Sequence, residues 1–259
     1  MTHTKATGEA QPAWDGDSLR DPHAQHDKAR RVESMFDAIA PTYERVNAVA
    51  SLAQDAGWRR KAIAAADIRA ADVVLDVCCG TGDMIRTIAC SDPSPARIFG
   101  LDFAAQMLAR GDYTGITTPI QLVRGDALNL PFADESLDVV TCAFGVRNFQ
   151  DLSRGLREMR RVLRPGGRVV ILEFALPENA LLRFGYRLYT GAILPRLGAL
   201  LSRDKSGAYR YLPRSIQTFE RRAALVSRLR EAGLADVATR SLNLGGVVIY
   251  RGQRPKPTE

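Results

Sequence analysis

Apolar residues recur at helical spacing in the first quarter of the chain. The pattern predicts three helices, over residues 28–40, 43–53 and 57–66. The first is amphipathic and ends before Pro41, which cannot continue a helix. Residues 1–27 show no apolar period, so we expect a mobile tail there.

From residue 73 onwards, short apolar runs alternate with helical patterns. The predicted strands cover residues 73–77, 97–101, 120–124, 137–143 and 168–174, with helices at 84–90, 104–110 and 154–163. A further helix at 219–232 precedes two closing strands at 235–240 and 246–251. This alternation predicts an α/β protein with a Rossmann-like, mostly parallel seven-stranded sheet and helices on both faces.

Residues 178–215 interrupt the alternation with large apolar side chains interleaved with arginines. An insert this long in a compact fold is usually functional, and we expect a helical cap over a substrate site. The predicted organisation is a single domain over residues 28–252. Residues 28–70 form helices in front of the sheet, and a second tail covers residues 253–259.

Positive charge is concentrated in one part of the chain. Residues 151–232 contain 17 Lys and Arg against 7 Asp and Glu, and the whole chain carries a net charge of +7. A regional excess favours an anionic partner, either nucleic-acid phosphate or acidic lipid headgroups. No apolar run reaches the roughly 20 residues that a membrane span requires.

The four cysteines form no Cys-x-x-Cys pair, and no histidine lies near them at metal-ligand spacing. No cleavable signal precedes them. We therefore expect reduced thiols, no metal site and a cytoplasmic location. Cys78 and Cys79 are interpreted as packing residues of a turn, and Cys142 as a buried thiol inside a strand.

Candidate chemistry centres on the turn after the first strand. The run from Val73 to Val77, which contains Asp76, leads into Gly80-Thr81-Gly82 and then into a helical pattern. Glycines let the backbone approach a ligand closely, and the N–H groups that begin the helix face it. This geometry suits a nucleotide.

Two acids further along indicate an adenosine. Asp102 follows Gly82 by twenty residues, where an acid meets a ribose diol in this kind of fold. Asp126 ends the third strand, where it can accept from an adenine amine, and the small Ala127 allows close approach.

The residues after the turn select the adenosine cofactor. A dinucleotide site has a third glycine where this chain has Ile85. Asp83 would place a negative charge beside a pyrophosphate but not beside a sulfonium, although it can equally be a helix-capping residue. S-adenosylmethionine fits better than a dinucleotide.

Several motifs resemble the class I S-adenosylmethionine-dependent methyltransferases, and within them the quinone-biosynthesis C-methyltransferases of the UbiE/MenG type. They are Leu75-Asp76-Val77, Cys79-Gly80-Thr81-Gly82-Asp83, Leu101-Asp102, Asp126-Ala127, Phe144-Gly145-Val146-Arg147-Asn148, Val162-Leu163-Arg164-Pro165-Gly166-Gly167, Leu172-Glu173-Phe174, Tyr209-Arg210-Tyr211-Leu212-Pro213-Arg214-Ser215-Ile216 and Gly246-Val247-Val248. The segment Met35-Phe36-Asp37, with Tyr43 and Asn47, resembles the same family. Similarity extends from about Val32 to Gly252.

The resemblance implies C-methylation of a reduced prenylated quinone, with demethylmenaquinol favoured and a ubiquinone precursor as the alternative. It implies cofactor contacts at Thr81, Asp102, Asp126, Ala127 and position 143, beside the turn residues Asp76, Gly80 and Gly82. The family usually has Ser where this chain has Ala143, which leaves only the backbone for that contact. It also tends to have His where this chain has Tyr250.

Methylation of a quinol ring needs alignment, a proton acceptor and stabilisation of phenolate charge. We assign the phenolate to Arg147, with a structural pairing to a residue such as Asp151 as the alternative, and expect Asn148 to orient the same oxygen. Tyr43, Tyr209 and Arg210 are expected substrate contacts. The candidate bases are Tyr43, Glu44, Tyr209 and water.

A polyprenyl tail resides in a bilayer, so we expect the insert to dock peripherally on an anionic membrane at its inner face. The alternative for residues 178–201 is an ordinary helix pair with a basic face. A homodimer is allowed, and nucleic acid is not an expected partner. Two other interpretations stay open, an RNA methyltransferase and an S-adenosylmethionine-binding regulator without activity.

Overall fold

The computed structural model describes residues 13–51, 53–188 and 207–257. The helices are α1 (Lys28–Ile39), α2 (Tyr43–Ala50), α3 (Asp55–Ala66), α4 (Asp83–Ala89), α5 (Ala105–Leu108), α6 (Leu152–Val162), α7 (Ala180–Leu188), α8 (Ala208–Thr218) and α9 (Arg222–Glu231). The strands are β1 (Val73–Val77), β2 (Arg97–Asp102), β3 (Ile120–Arg124), β4 (Leu137–Ala143), β5 (Leu163–Phe174), β6 (Ala235–Leu242) and β7 (Val247–Gln253). A 3₁₀ turn, Val146–Asn148, follows β4.

The strands form one sheet in the order β3-β2-β1-β4-β5-β7-β6, in which β7 is antiparallel to its neighbours β5 and β6. β1 pairs in parallel with both β2 and β4, so the order of the strands reverses between these neighbours. Such a reversal leaves a crevice beyond the carboxyl ends of the strands, where ligands bind. The predicted α/β class with a mostly parallel seven-stranded sheet is confirmed.

Both faces of the sheet are buried. Leu75 and Val77 pack on the face covered by α6 and α9, and Val74 packs on the face covered by α3 and α4. Successive strand residues point to opposite faces, so a strand that is apolar at consecutive positions must be covered on both sides. This packing fixes the carboxyl ends of the strands along one edge.

Most elements lie within a few residues of their predicted bounds, and β3 and β4 match them. The helix predicted over residues 104–110 is only the short α5, because the chain continues with tighter bonds such as Arg110 N to Met107 O at 3.2 Å. β5 begins earlier than predicted, since the Pro165-Gly166-Gly167 segment forms an irregularity within the strand and Gly166 N donates to Arg254 O at 2.8 Å.

The prediction of a mobile tail over residues 1–27 is wrong for residues 13–27. Trp14 is fully buried in a cluster that includes side chains of α1 and α8. Asp15 and Ser18 close a turn there, with Ser18 N donating to Asp15 Oδ1 at 2.9 Å. A single tryptophan in a polar segment carries no periodicity, so the sequence pattern could not reveal this packing.

Only part of the predicted insert at 178–215 is described. Its first portion forms α7, and its last residues lie in α8. Residues 189–206, on which much of the predicted apolar and arginine pattern falls, lie outside the described residues.

A buried ion pair lies towards the amino ends of the strands, on the side of the sheet away from the glycine turn, and it offers a test of the packing. Arg168 pairs with Asp72, and its Nε donates to Ala66 O at 3.0 Å, which ties the end of α3 to β5. Breaking such a pair leaves the other charge buried. We expect Arg168→Ala to lower the free energy of unfolding by about 3–5 kcal/mol in urea titrations. A change below about 1 kcal/mol, the range of exposed ion pairs, would contradict this role.

Candidate functional site

A cleft lies at the carboxyl ends of β1 and β4, around the turn Gly80–Gly82. This glycine cleft spans about 330 Å³, including space open to solvent, and is lined by Tyr43, Arg59, Asp76, Cys78, Cys79, Gly80, Thr81, Asp83, Met84, Ala143 and Phe144. Gly82 has a φ of +86°, which favours glycine, and a Cβ there would collide with Tyr113. Gly82 also precedes α4, so the first N–H groups of that helix begin beside the cleft.

Two buried polar atoms at the cleft lack partners. Asp76 Oδ1 accepts from Thr141 Oγ1 at 2.6 Å, whereas Asp76 Oδ2 has no hydrogen-bond partner among the described residues. The same holds for Thr81 Oγ1. Burial raises the pKa of Asp76 to about 7. A buried acceptor and a buried hydroxyl without partners fit a ligand that carries a positive charge and hydrogen-bond donors.

Asp102 supports the turn from the end of β2. Its Oδ2 accepts from Gly80 N at 2.8 Å, and its Oδ1 accepts from Ala104 N at 2.9 Å. Burial raises the pKa of Asp102 to about 6, although these backbone bonds oppose the rise. Each carboxylate oxygen retains a second lone pair for a ligand hydroxyl.

The predicted adenine contacts lie outside the lining of the glycine cleft, at the end of β3. β3 pairs with β2, so Asp126 and Ala127 follow the strand next to the one that ends at Asp102. Asp126 is exposed and accepts from Leu128 N at 2.9 Å, while Ala127 is buried. The three predicted residues therefore lie at neighbouring strand ends along the edge that continues from the cleft.

Asp83 belongs to a charged network that the sequence did not reveal. It makes no capping bond, and its carboxylate pairs with Arg59 at 3.0 Å and with Arg86. Arg59 is buried, also pairs with Asp55 at 2.6 Å, and comes from α3, far earlier in the chain. The capping interpretation of Asp83 is thus wrong: the acid joins α3 to α4 across the cleft.

A second, apolar cavity adjoins the glycine cleft. It spans about 720 Å³, including space open to solvent, and is lined by Met35, Phe36, Ile39, Tyr43, Asn47, Ser51, Asp55, Trp58, Arg59, Phe144, Arg147, Phe174, Ala208, Tyr211 and Leu212. Tyr43, Arg59 and Phe144 line both spaces. Phe144 stacks on Phe174 at 4.5 Å between ring centroids. The apolar cavity is therefore mostly aromatic and aliphatic, with a few charged groups at fixed positions.

Arg147 is the buried cation that the sequence placed after β4. Its guanidinium pairs with Glu173 at 2.7 Å, and Glu173 has no exposed surface. The alternative pairing with Asp151 is wrong, since Asp151 caps α6 by accepting from Arg154 N at 2.9 Å. Burial acts to lower the pKa of Arg147, but the charge and hydrogen bond of Glu173, together with Tyr211 and Tyr43, outweigh burial and raise the pKa. Arg147 Nε is buried without a hydrogen-bond partner in the described chain.

Arg147 and Asn148 hold the backbone of Phe144, whose φ of +57° is unfavourable for a side chain of this size. Arg147 Nη1 donates to Phe144 O at 2.6 Å, and Asn148 Nδ2 donates to it at 3.4 Å. Asn148 Oδ1 accepts from the Tyr211 hydroxyl at 2.8 Å. Asn148 does not line the apolar cavity, so its contacts are with Phe144 and Tyr211, not with the cavity space.

The predicted substrate contacts differ in their placement. Tyr43 lines both spaces as expected. On α8 the lining residues are Ala208, Tyr211 and Leu212, which lie on one helical face at intervals of three and four. Arg210 is exposed and does not line the cavity. The side chain of Tyr209 is not among those that the structure describes.

The structure agrees with the predicted burial of Cys142, whereas Cys78 and Cys79 lie at the turn and line the glycine cleft. All four are free, and Cys79 and Cys142 are buried. The pKa of Cys78 is raised, first by its contact with Cys142 and then by burial, so its thiolate is disfavoured. Over residues 13–51, 53–188 and 207–257, no three His, Cys, Asp or Glu side chains are arranged to hold a metal ion.

The raised pKa of Asp76 predicts a stability change with pH. The folded chain holds this proton up to about pH 7, whereas the unfolded chain releases it near its ordinary pKa of 3.8. Ionisation of Asp76 should therefore cost the ligand-free protein about 4 kcal/mol of stability as the pH rises through this window. Asp76→Asn should remove this contribution and leave the separate contribution of Asp102, whose pKa is also raised.

Urea titrations of the ligand-free protein between pH 5 and 8 measure this slope. Asp236→Asn is the matched control, because Asp236 is exposed and has a positive φ that asparagine tolerates. Equal slopes in the wild type and Asp76→Asn would show that Asp76 is ionised in the folded protein.

Solved structures show the fold. A SAM-dependent methyltransferase from Thermotoga maritima superposes with a TM-score of 0.60 at 16% identity over 85% of this chain and 98% of its own. The [4+2]-cyclase SpnF superposes with a TM-score of 0.61 at 17% identity over 88% of this chain and 97% of its own. At such identities the likeness concerns the fold alone.

Sequence relatives are much closer. The demethylmenaquinone methyltransferase of Deinococcus radiodurans is 44% identical over 232 residues, which cover 89% of this chain and 95% of the relative. The ubiquinone/menaquinone biosynthesis C-methyltransferase UbiE of Geotalea daltonii is 38% identical over 235 residues, 88% of this chain and 98% of the relative. The model of the ubiE/COQ5 methyltransferase family matches residues 24–254. With the glycine cleft and the family motifs in place, the chain belongs to the ubiE/COQ5 methyltransferase family.

Proposed function

We propose that this methyltransferase C-methylates the ring of a reduced prenylated quinone, with demethylmenaquinol as the substrate and a ubiquinone precursor as the alternative. One observation carries the proposal: the apolar cavity adjoins the glycine cleft and is lined by Arg147, a buried cation that pairs with Glu173. A flat aromatic ring with an ionisable oxygen matches that lining. One relative described above is named for demethylmenaquinone and the other for ubiquinone and menaquinone biosynthesis.

S-adenosylmethionine is the cofactor that the family and the fold imply. When bound, it supplies an electrophilic methyl group on a sulfonium. The partnerless Asp76 Oδ2 and Thr81 Oγ1 fit its cationic end, and these residues would hold that end. Asp102 would hold the ribose, and Asp126 with Ala127 the adenine.

Arg147 acts on the substrate oxygen. A quinol ring carbon attacks readily once a neighbouring phenol has lost its proton, and the resulting phenolate needs a donor. Arginine stays protonated, and Glu173 holds the guanidinium in place, so the guanidinium can donate a charge-assisted hydrogen bond to the substrate oxygen. Such a donor in a water-poor cavity stabilises developing charge without reorganising.

The proton acceptor is water in this proposal. Burial raises the pKa of Tyr43, which disfavours its phenolate. Glu44 is exposed and pairs with Arg86 at 3.2 Å. The phenol proton and the proton lost from the methylated ring carbon both pass to water, and one oxygen is reprotonated as the product leaves.

Methyl transfer from labelled cofactor tests the function directly. We expect label in demethylmenaquinol, with the new C–methyl group visible by NMR, and little label in a demethylated ubiquinol precursor. RNA and the oxidised demethylmenaquinone serve as control acceptors. Label in RNA, or in neither quinol, would contradict the proposal.

The role of Arg147 predicts a defect in kcat. Removing Arg147 alone leaves Glu173 buried and unpaired, so the informative variant is Arg147→Gln with Glu173→Gln. We expect kcat to fall by about 10²–10³-fold, the usual effect of losing an oxyanion donor. Cofactor affinity, measured by calorimetry, should stay near that of the wild type. Full activity in the double variant would remove Arg147 from the mechanism.

An exposed apolar patch supports membrane docking. It consists of Leu181, Phe184 and Leu188 on α7 together with Leu244, whose exposed fractions range from 58% to 78%. Leu244 lies in the turn between β6 and β7, and that turn meets α7 where Gly246 approaches Tyr186. No helix among the described residues is long and apolar enough to cross a membrane. We infer that the patch enters the interface of a bilayer whose anionic headgroups meet the basic region.

Liposome flotation tests the docking. Leu181→Glu with Phe184→Glu should abolish flotation with vesicles that contain phosphatidylglycerol, while Leu122→Glu, on the exposed part of β3, serves as the control. Loss of flotation should leave activity on a short-chain quinol intact. Unchanged flotation would contradict docking through this patch, and a shift from dimer to monomer in light scattering would assign the patch to a homodimer.

A further inference from the structure

The chain carries an ordered segment ahead of the region that the family model describes. The family match begins at residue 24, whereas the described structure begins at residue 13. We call residues 13–23 the N-terminal strap. Its Trp14 is fully buried, so the strap is part of the folded domain.

Several hydrogen bonds fasten the strap to α8 and α1. Arg214 Nε, on α8, donates to Leu19 O at 2.8 Å. Arg31 Nη1, on α1, donates to Ala13 O at 2.9 Å. The ring of His23 lies 2.9 Å from Ser215 O, with Nε2 as the donor in the tautomer that satisfies this carbonyl. The strap is therefore anchored at both of its ends.

The start of α8 is shaped for the strap. Gly207 has a φ of +86°, and a Cβ there would lie 2.7 Å from Trp14 O. A residue other than glycine would be strained and would also push the strap away. The close crossing places the Trp14 ring against α8.

Trp14 packs against Tyr211, a residue that lines the apolar cavity. Its ring stacks on Tyr211 with 4.4 Å between centroids and 27° between planes. Tyr211 lines the cavity and donates to Asn148 Oδ1 at 2.8 Å, and Asn148 in turn contacts Phe144 O. Trp14 itself does not line the cavity. A continuous series of contacts thus runs from the strap to the wall that the apolar cavity shares with the glycine cleft.

We propose that Trp14 is a positioning residue that sets the shape of the quinol site by fixing Tyr211. The inference rests on the proposed function for its substrate. Tyr211 is held on one side by the strap and on the other by Asn148, so loss of the Trp14 ring frees it to rotate into or away from the cavity. The cofactor contacts at Asp76, Thr81 and Asp102 do not depend on this series.

Trp14→Ala and Trp14→Phe form the test pair. The Trp14 Nε1 has no partner within the described chain, so phenylalanine loses no hydrogen bond and retains the stacking. We expect Trp14→Ala to raise KM for the quinol by about threefold to tenfold, the worth of one aromatic stack, with kcat and cofactor affinity near the wild type. Trp14→Phe should have a KM for the quinol close to that of the wild type, because the phenyl ring can still stack on Tyr211. Asp17→Ala, at a strap side chain that is 91% exposed, is the control.

A second readout does not require turnover. The chain has two tryptophans, and in both Trp14 variants only Trp58 remains, which lines the apolar cavity. Quenching of Trp58 by 1,4-naphthoquinone therefore reports cavity binding, and Trp14→Ala should bind it more weakly than Trp14→Phe. Arg214→Gln removes the bond to Leu19 O but leaves Trp14 in place, and it should also weaken naphthoquinone binding. If Trp14→Ala does not fold, this variant still tests the proposal.

The outcomes separate the two proposals. A wild type that does not methylate any quinol overturns the proposed function, while the quenching comparison still tests the strap. Equal KM and equal quenching in Trp14→Ala and Trp14→Phe overturn the positioning role. So does an equal loss of quinol and cofactor affinity, since a merely structural residue would lower both together.

Discussion

The buried ion pair of Arg147 and Glu173 is the interaction on which the site depends. It joins the ends of β4 and β5, and its two side chains are almost fully removed from water. A buried pair contributes little net stability, because desolvation of both charges offsets their attraction. Its consequence is geometric instead: it fixes one guanidinium in the lining of the apolar cavity, which is where the proposed function places the substrate oxygen.

The same ion pair helps to hold Phe144, the residue at which the glycine cleft and the apolar cavity meet. Phe144 occupies a left-handed backbone conformation, and Arg147 and Asn148 hold its carbonyl. Its ring then separates the glycine cleft from the apolar cavity. The helices α1 to α3 close the other side through Tyr43 and Arg59, so sheet and N-terminal helices build the site together.

The sequence predicted what local pattern and strand order determine. Strand ends, the glycine turn and the acids at Asp76 and Asp102 follow from periodicity and from the topology of a parallel sheet. Ala143 lines the glycine cleft as predicted, although its small side chain offers no hydroxyl there. The position of such a residue follows once the strand or turn that contains it has been predicted correctly.

Residues whose role depends on distant partners escaped prediction. Glu173 lies in an apolar strand, and its charge there was the only signal that it pairs with another residue. Arg59 and Tyr211 reach the site from helices that precede and follow the central strands. The family motif suggests Arg210 as a substrate contact, but the helical period places Tyr211 in the cavity lining instead. Trp14 had no pattern around it at all. Pairings between elements far apart in the chain are set by tertiary packing, which no single window of sequence contains.

The claim that Arg147 stabilises a phenolate in the apolar cavity has a direct measurement, the pKa of a naphthol bound there, read from its absorbance as the pH is varied. Burial alone raises the pKa of the bound naphthol, whereas a charge-assisted hydrogen bond from Arg147 lowers it. We expect naphthol bound to the wild type to ionise at a pH about one unit or more below naphthol bound to the variant with Arg147→Gln and Glu173→Gln. The same pKa in both proteins would contradict it.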